Sequence, residues 1–137
     1  MVHIPKYFFL VFGDAYFEES PPEGGHYKHA DDYLNNSGIE AGDVILLYCC
    51  GNCRQHANEI PAIGIVTNIN QDHIFYQYLP LCHPIYVDWD SETMKKNLPE
   101  LADNEGKRHW HLKGNWLRSI SSNSFRATTE GRQIDWP

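Results

Sequence analysis

The sequence predicts an α+β fold: a small mixed β-barrel with peripheral helices. Three observations predict it. Three or four β-prone apolar segments come before the helix that Ser91 starts. Strand and helix patterns do not alternate regularly, which argues against a parallel α/β sheet. The chain has 137 residues, enough for one domain with a real core and little for a second. A closed or nearly closed sheet with helices outside it satisfies all three.

The elements follow in order. Tyr7-Phe8-Phe9-Leu10-Val11-Phe12 is a continuous apolar run, the pattern of a strand buried on both faces. Gly13-Asp14 ends it. Ser20 to Gly25 is a loop by its prolines and glycines. Ala30–Asn36 is expected as a short helix stopped by Ser37-Gly38. Ala41-Gly42-Asp43 turns the chain into the second strand, Val44–Cys50. Ile60–Ile69 is the third, with Gly64 marking a bulge or a close backbone approach. Ile74–Leu79 alternates as a fourth. Pro80 should break it, with Ile85–Val87 resuming after Pro84. Ser91 is an N-cap for a helix ending before Pro99, with Asp90 and Glu92 suiting the positive end of the dipole. Lys107–Lys113 alternates like a half-buried strand. Ser121–Ala127 reads as a closing helix behind a serine cap.

Hydrophobic residues make up 42%, aromatic 13% and charged 21% of the chain, a mix that excludes disorder, collagen and coiled coil. The apolar runs are too short to span a membrane, and no signal peptide pattern is visible, so a cytoplasmic protein without membrane contact is expected. The net charge of −7 argues against coating a nucleic acid without regard to sequence. It is unevenly spread, however. Residues 1–106 hold 5 Lys+Arg and 16 Asp+Glu, a net −11, while residues 107–137 hold 6 and 2, a net +4. A basic last quarter suits an anionic ligand.

Cysteines stand at 49, 50, 53 and 82, too few for a disulfide framework. Cys50-Gly51-Asn52-Cys53 is a CxxC near His56, but the only other thiol is Cys82, beside His83, where zinc would want a second pair. His109 and His111 share a strand face with Trp110 opposite, which suits a wet histidine edge better than a metal. No metal or cofactor is therefore expected. No HExxH, GxSxG or phosphate loop occurs, and no nucleophile has an assignable base.

Aromatic residues are the richest chemical feature. Tyr7, Phe12, Tyr16, Tyr27, Tyr48, Trp110 and Trp116 fall at strand ends or in loops. Most large aromatics belong to cores. A few at the mouth of a small barrel would instead form a cage able to hold one base, each good stack being worth about 1–3 kcal/mol.

The order of segments resembles the EVE domain family. The likeness lies in the opening strand Tyr7–Val11, in Gly38-Ile39-Glu40-Ala41-Gly42-Asp43 leading to Val44–Tyr48, and in Ala62-Ile63-Gly64-Ile65-Val66. It continues in Tyr76–Leu81, in Lys107-Arg108-His109-Trp110-His111-Leu112-Lys113-Gly114-Asn115-Trp116-Leu117-Arg118-Ser119-Ile120, and in Ser121–Phe125. It covers residues 7–127.

The resemblance implies a PUA-like barrel, related to YTH domains, acting as a non-catalytic reader of a modified base in DNA or RNA. Phe12, Gly13 and Asp14 match the polar end of the opening strand, and Trp110 matches the late tryptophan of the family. Many relatives carry a tryptophan where this chain has His26-Tyr27. The expected site is therefore Phe12, Gly13, Asp14, His26, Tyr27, Tyr48, Arg108, Trp110 and Lys113. Tyr27 and Trp110 would stack on the base, Asp14 would accept from a base N–H, and Arg108 and Lys113 would meet the phosphates. Two alternatives stay open: a small enzyme acting on a nucleotide-like ligand, and an interaction module of a restriction or toxin system.

Overall fold

In a computed structural model of the chain, the described residues are 4–12, 24–28, 37–49, 57–70, 73–88, 91–101 and 117–130. The strands are β1 (Tyr7–Phe12), β2 (His26–Lys28), β3 (Val44–Cys49), β4 (Glu59–Asn70), β5 (His73–Tyr86) and β6 (Leu117–Ile120). Helix α1 (Glu92–Asn97) is followed by a 3₁₀ turn at Pro99–Leu101, and α2 (Ser122–Thr129) follows β6. Among the described residues the strands form one six-stranded sheet in the order β2-β5-β4-β3-β1-β6. Only β1 and β3 pair in parallel. The fold is a small α+β half-barrel. The expected barrel is corrected to an open curled sheet over these residues, because its edge strands, β2 and β6, have three and four residues and do not pair with each other.

β1 is apolar throughout because both of its faces are covered. Phe9 and Val11 join Leu46, Tyr48, Leu79, Met94 and Leu98 on the helix side. Phe8, Leu10 and Phe12 join Tyr27, Ile45, Leu47, Ile74 and Tyr76 on the other. Strand registry explains the alternation, since Val11 lies beside Tyr48 and Phe12 beside Cys49.

The Gly-Asp turn holds the parallel pair together. Gly42 has φ +96°, a left-handed conformation suited to glycine. It places Asp43, fully buried, where its carboxylate accepts from the Lys6 N–H at 3.0 Å and the Glu40 N–H at 2.9 Å. The Asp43 carbonyl accepts from Val66 N–H at 2.8 Å. One residue thus ties the start of β1 to the entry of β3 and to β4. At Gly64 the expected close approach is found: a Cβ there would stand 2.9 Å from Cδ2 of Tyr76.

The expected break at Pro80 is corrected. β5 runs through both prolines, because the ladder shifts between the pairs Ile60↔Ile85 and Ala62↔Pro80. The extra β5 residues bulge out there, and proline is tolerated at a bulge. The expected helix at 30–36 and the expected strand at 107–113 lie outside the described residues.

Both helix caps are as expected. Ser91 Oγ accepts from Met94 N–H, and Ser121 Oγ accepts from Ser124 N–H, each at 3.0 Å. Glu100 adds a clasp. Its carboxylate accepts from Ser124 Oγ at 2.6 Å and from Ser121 N–H at 2.7 Å, at the positive end of α2. Burial pushes the Glu100 carboxyl up, but the Ser124 and Ser121 hydrogen bonds outweigh it and hold it below its ordinary 4.5. The clasp's contribution is therefore complete above pH 4.5 and fades as pH falls through the lowered folded-state value. Glu100→Gln should melt below wild type at neutral pH, and the two melting curves should converge in acid. A gap of constant size down to strong acid would contradict the clasp.

Candidate functional site

The structure brings some of the expected site residues together and separates others. Phe12 and Tyr27 meet edge to face, with ring centroids 4.9 Å apart at 88°. Tyr27 follows His26 in β2, and its partner Ile74 belongs to the same core face as Phe12. Its hydroxyl donates to the Val11 carbonyl at 3.0 Å. Phe12 and Tyr27 both have 0% exposure. A stacking platform needs an open ring face, and Tyr27 offers none in this conformation. The expected stacking role is replaced by a packing one.

Tyr48 is on the other face. Its ring packs at 5.2 Å from Phe9, and its hydroxyl donates to Asn58 Oδ1 at 3.2 Å. Asn58 takes φ +62°, accepts at its carbonyl from Val87 N–H and donates its own N–H to the Cys49 carbonyl. Tyr48 thus anchors the junction of β3 and β4, and the sheet lies between it and Tyr27. The two cannot close on one base.

His26 departs from Tyr27 in a different way. Neighbours on a strand point to opposite faces, so His26 stands on the helix-side face, opposite Phe75 in the ladder. There it forms a three-ring patch. His73 and Phe75 are stacked at 5.8 Å and 18°. The His26 ring lies 6.4 Å from each, tilted by 44° and 40°. All three rings are half-buried. His73 and Phe75 were not among the expected site residues. The alternation of Ile74–Leu79 carried the signal, since its outward positions start with a ring, but the pairing with β2 could not be read.

Gly13, Asp14, Arg108, Trp110 and Lys113 lie outside the described residues, as do Cys50, Cys53 and His56. The described strands on either side of two of these stretches share one end of the sheet. β1 ends at Phe12, directly before Gly13-Asp14. β6 begins at Leu117, directly after the basic tryptophan tract, and Leu117 pairs with Leu10. Both stretches therefore leave the sheet at the same end of the same strand pair.

Cys49 is buried and Cys82 exposed. Among the described residues no group of three or more His, Cys, Asp or Glu is placed to hold a metal, and no helix is long and apolar enough to cross a membrane.

No family model matches the chain, and no curated protein matches it. Among solved structures it is similar to the NMR structure of Rpa0253 from Rhodopseudomonas palustris. The TM-score is 0.57 at 13% identity, covering 90% of each chain. At that identity the likeness concerns the fold alone.

Proposed function

We propose that this chain is an EVE-type, PUA-like domain that binds a nucleic acid by taking up a single modified base. The reading is carried by one observation: the strand end before Gly13-Asp14 and the strand start after the 107–116 tract share one end of the β1–β6 pair. That shared end supports joining residues far apart in sequence into one site, as the family likeness does.

In this reading Phe12 and Tyr27 are the rigid floor beneath that place. Trp110 supplies the stacking face and Asp14 accepts from a base N–H. Arg108 and Lys113 add phosphate contacts, which the net +4 of residues 107–137 favours in an otherwise acidic chain.

The test is fluorescence anisotropy with short labelled oligonucleotides that differ at one base, methylated or unmodified. Wild type should separate the two. Trp110→Ala should lose about 1–3 kcal/mol of affinity for the modified probe. Lys113→Ala should weaken both probes alike and flatten the salt dependence by about one phosphate contact. Equal binding of the two probes by wild type, or an unchanged Trp110→Ala protein, rejects the reading.

A further inference from the structure

Among the described residues, the helices do not cover the helix-side face of the sheet along its whole length. On β5, Leu79 and Leu81 share an apolar cluster with Met94 and Leu98 of the α1 region. Two residues at a time toward the start of β5, the same face continues through Gln77, Phe75 and His73. Gln77 is exposed, and the two rings are half-buried. β2 extends the patch with His26. β4 extends it on the other side, where Asn68 pairs with Phe75 and Asn70 with His73, both amides exposed.

The patch therefore consists of three rings flanked by three amides. None of the six residues is acidic, in a chain of net −7. Its reverse face is fixed by Ile74 and Tyr27, both fully buried, so the rings stand on a rigid support.

We infer that this face binds unpaired nucleotides by stacking their bases on His26, His73 and Phe75. Every base has a π-face, so rings on a sheet surface hold single strands with little sequence preference. Asn68, Asn70 and Gln77 each carry two donors and an acceptor that can meet base edges. None of these six side chains brings a carboxylate to repel the phosphates. The inference rests on the reading of the chain as a nucleic-acid binder, but the site is a different one. The patch continues the helix-side face of Leu79 and Leu81, whereas Phe12 and Tyr27 belong to the other face of the sheet.

The experiment uses the full chain and labelled oligo(A), as RNA and as DNA, in low salt. Phe75→Leu keeps the apolar bulk and removes the π-face, and it should weaken binding by about tenfold. Phe75→Tyr should restore binding, and a duplex of the same sequence should bind much more weakly. His73→Asn, at a half-buried position, makes the same test should Phe75→Leu fold poorly. Wild-type affinity in Phe75→Leu or in folded His73→Asn, equal binding of the duplex, or no oligonucleotide binding by wild type overturns the inference. The two sites separate cleanly. Phe75→Leu should lower affinity for modified and unmodified probes alike, leaving their ratio intact, whereas Trp110→Ala should collapse the ratio. A collapsed ratio in Trp110→Ala with no effect of Phe75→Leu would leave the base reader standing and remove this face. The reverse result would do the opposite.

Discussion

Asp43→Ala is expected to cost about 3–5 kcal/mol of folding stability, from two part-buried N–H groups that lose hydrogen bonds to a charged, buried acceptor, at about 1.5–3 kcal/mol each, and the loss of a turn-forming side chain. The Lys6 and Glu40 amides now donate to its carboxylate. Removing it also loosens the start of β1 from the entry of β3, the only parallel pairing among the described residues. The Lys6 Nζ contact at 3.4 Å adds little, because that ammonium is 43% exposed. Urea denaturation followed by circular dichroism measures the loss. Asp43→Asn, which keeps one acceptor oxygen, should fall between wild type and alanine. A loss below about 1 kcal/mol for Asp43→Ala would mean that the turn holds without its carboxylate.

Tyr27→Ala should be of similar size, about 3–5 kcal/mol, the range for emptying a large core position. Tyr27→Phe should lose about 1–2 kcal/mol, from the hydroxyl that donates to the Val11 carbonyl. The informative control is the next residue. His26→Ala should stay within about 0.5 kcal/mol of wild type, because His26 faces outward. Denaturant midpoints of the three variants test the β2 register directly. If His26→Ala were as damaging as Tyr27→Ala, β2 would be slipped by one residue and the two side chains would exchange faces. The same pair bears on function. Tyr27→Phe should leave oligonucleotide affinity unchanged in the folded protein, as suits a floor residue, whereas His26→Ala should weaken it.

Local signals were legible in this sequence. The run 7–12 has no polar residue, and the strand is buried on both faces. Ser91 and Ser121 stand before helical segments and cap them, because an N-cap requires only a hydroxyl and the N–H three residues on. Gly64 reports a missing Cβ that Tyr76 fills. Pro80 misled because a proline can break a strand or sit in a bulge, and the outcome depends on how many residues the partner strand supplies.

The site was less legible, for a geometric reason. An aromatic side chain reads the same in sequence whether it packs or stacks. Tyr27 and Tyr48 were equally plausible cage members until the sheet came between them. His26 was picked out with Tyr27 as its neighbour, yet a strand sends the two to opposite faces.

What the sequence determined by itself was strands β1, β3 and β4, the start of β5, the helix caps, and the charge division between −11 and +4, while the short edge strands β2 and β6 carried no readable signal of their own. These depend on side-chain chemistry and on neighbours within a few residues. The tertiary structure alone decided that β1 lies between β3 and β6, that the sheet stays open over the described residues, and that His26 joins His73 and Phe75. Each of these depends on pairing between distant segments. Pairing is set by which faces bury together across the whole sheet, and no local window contains that information.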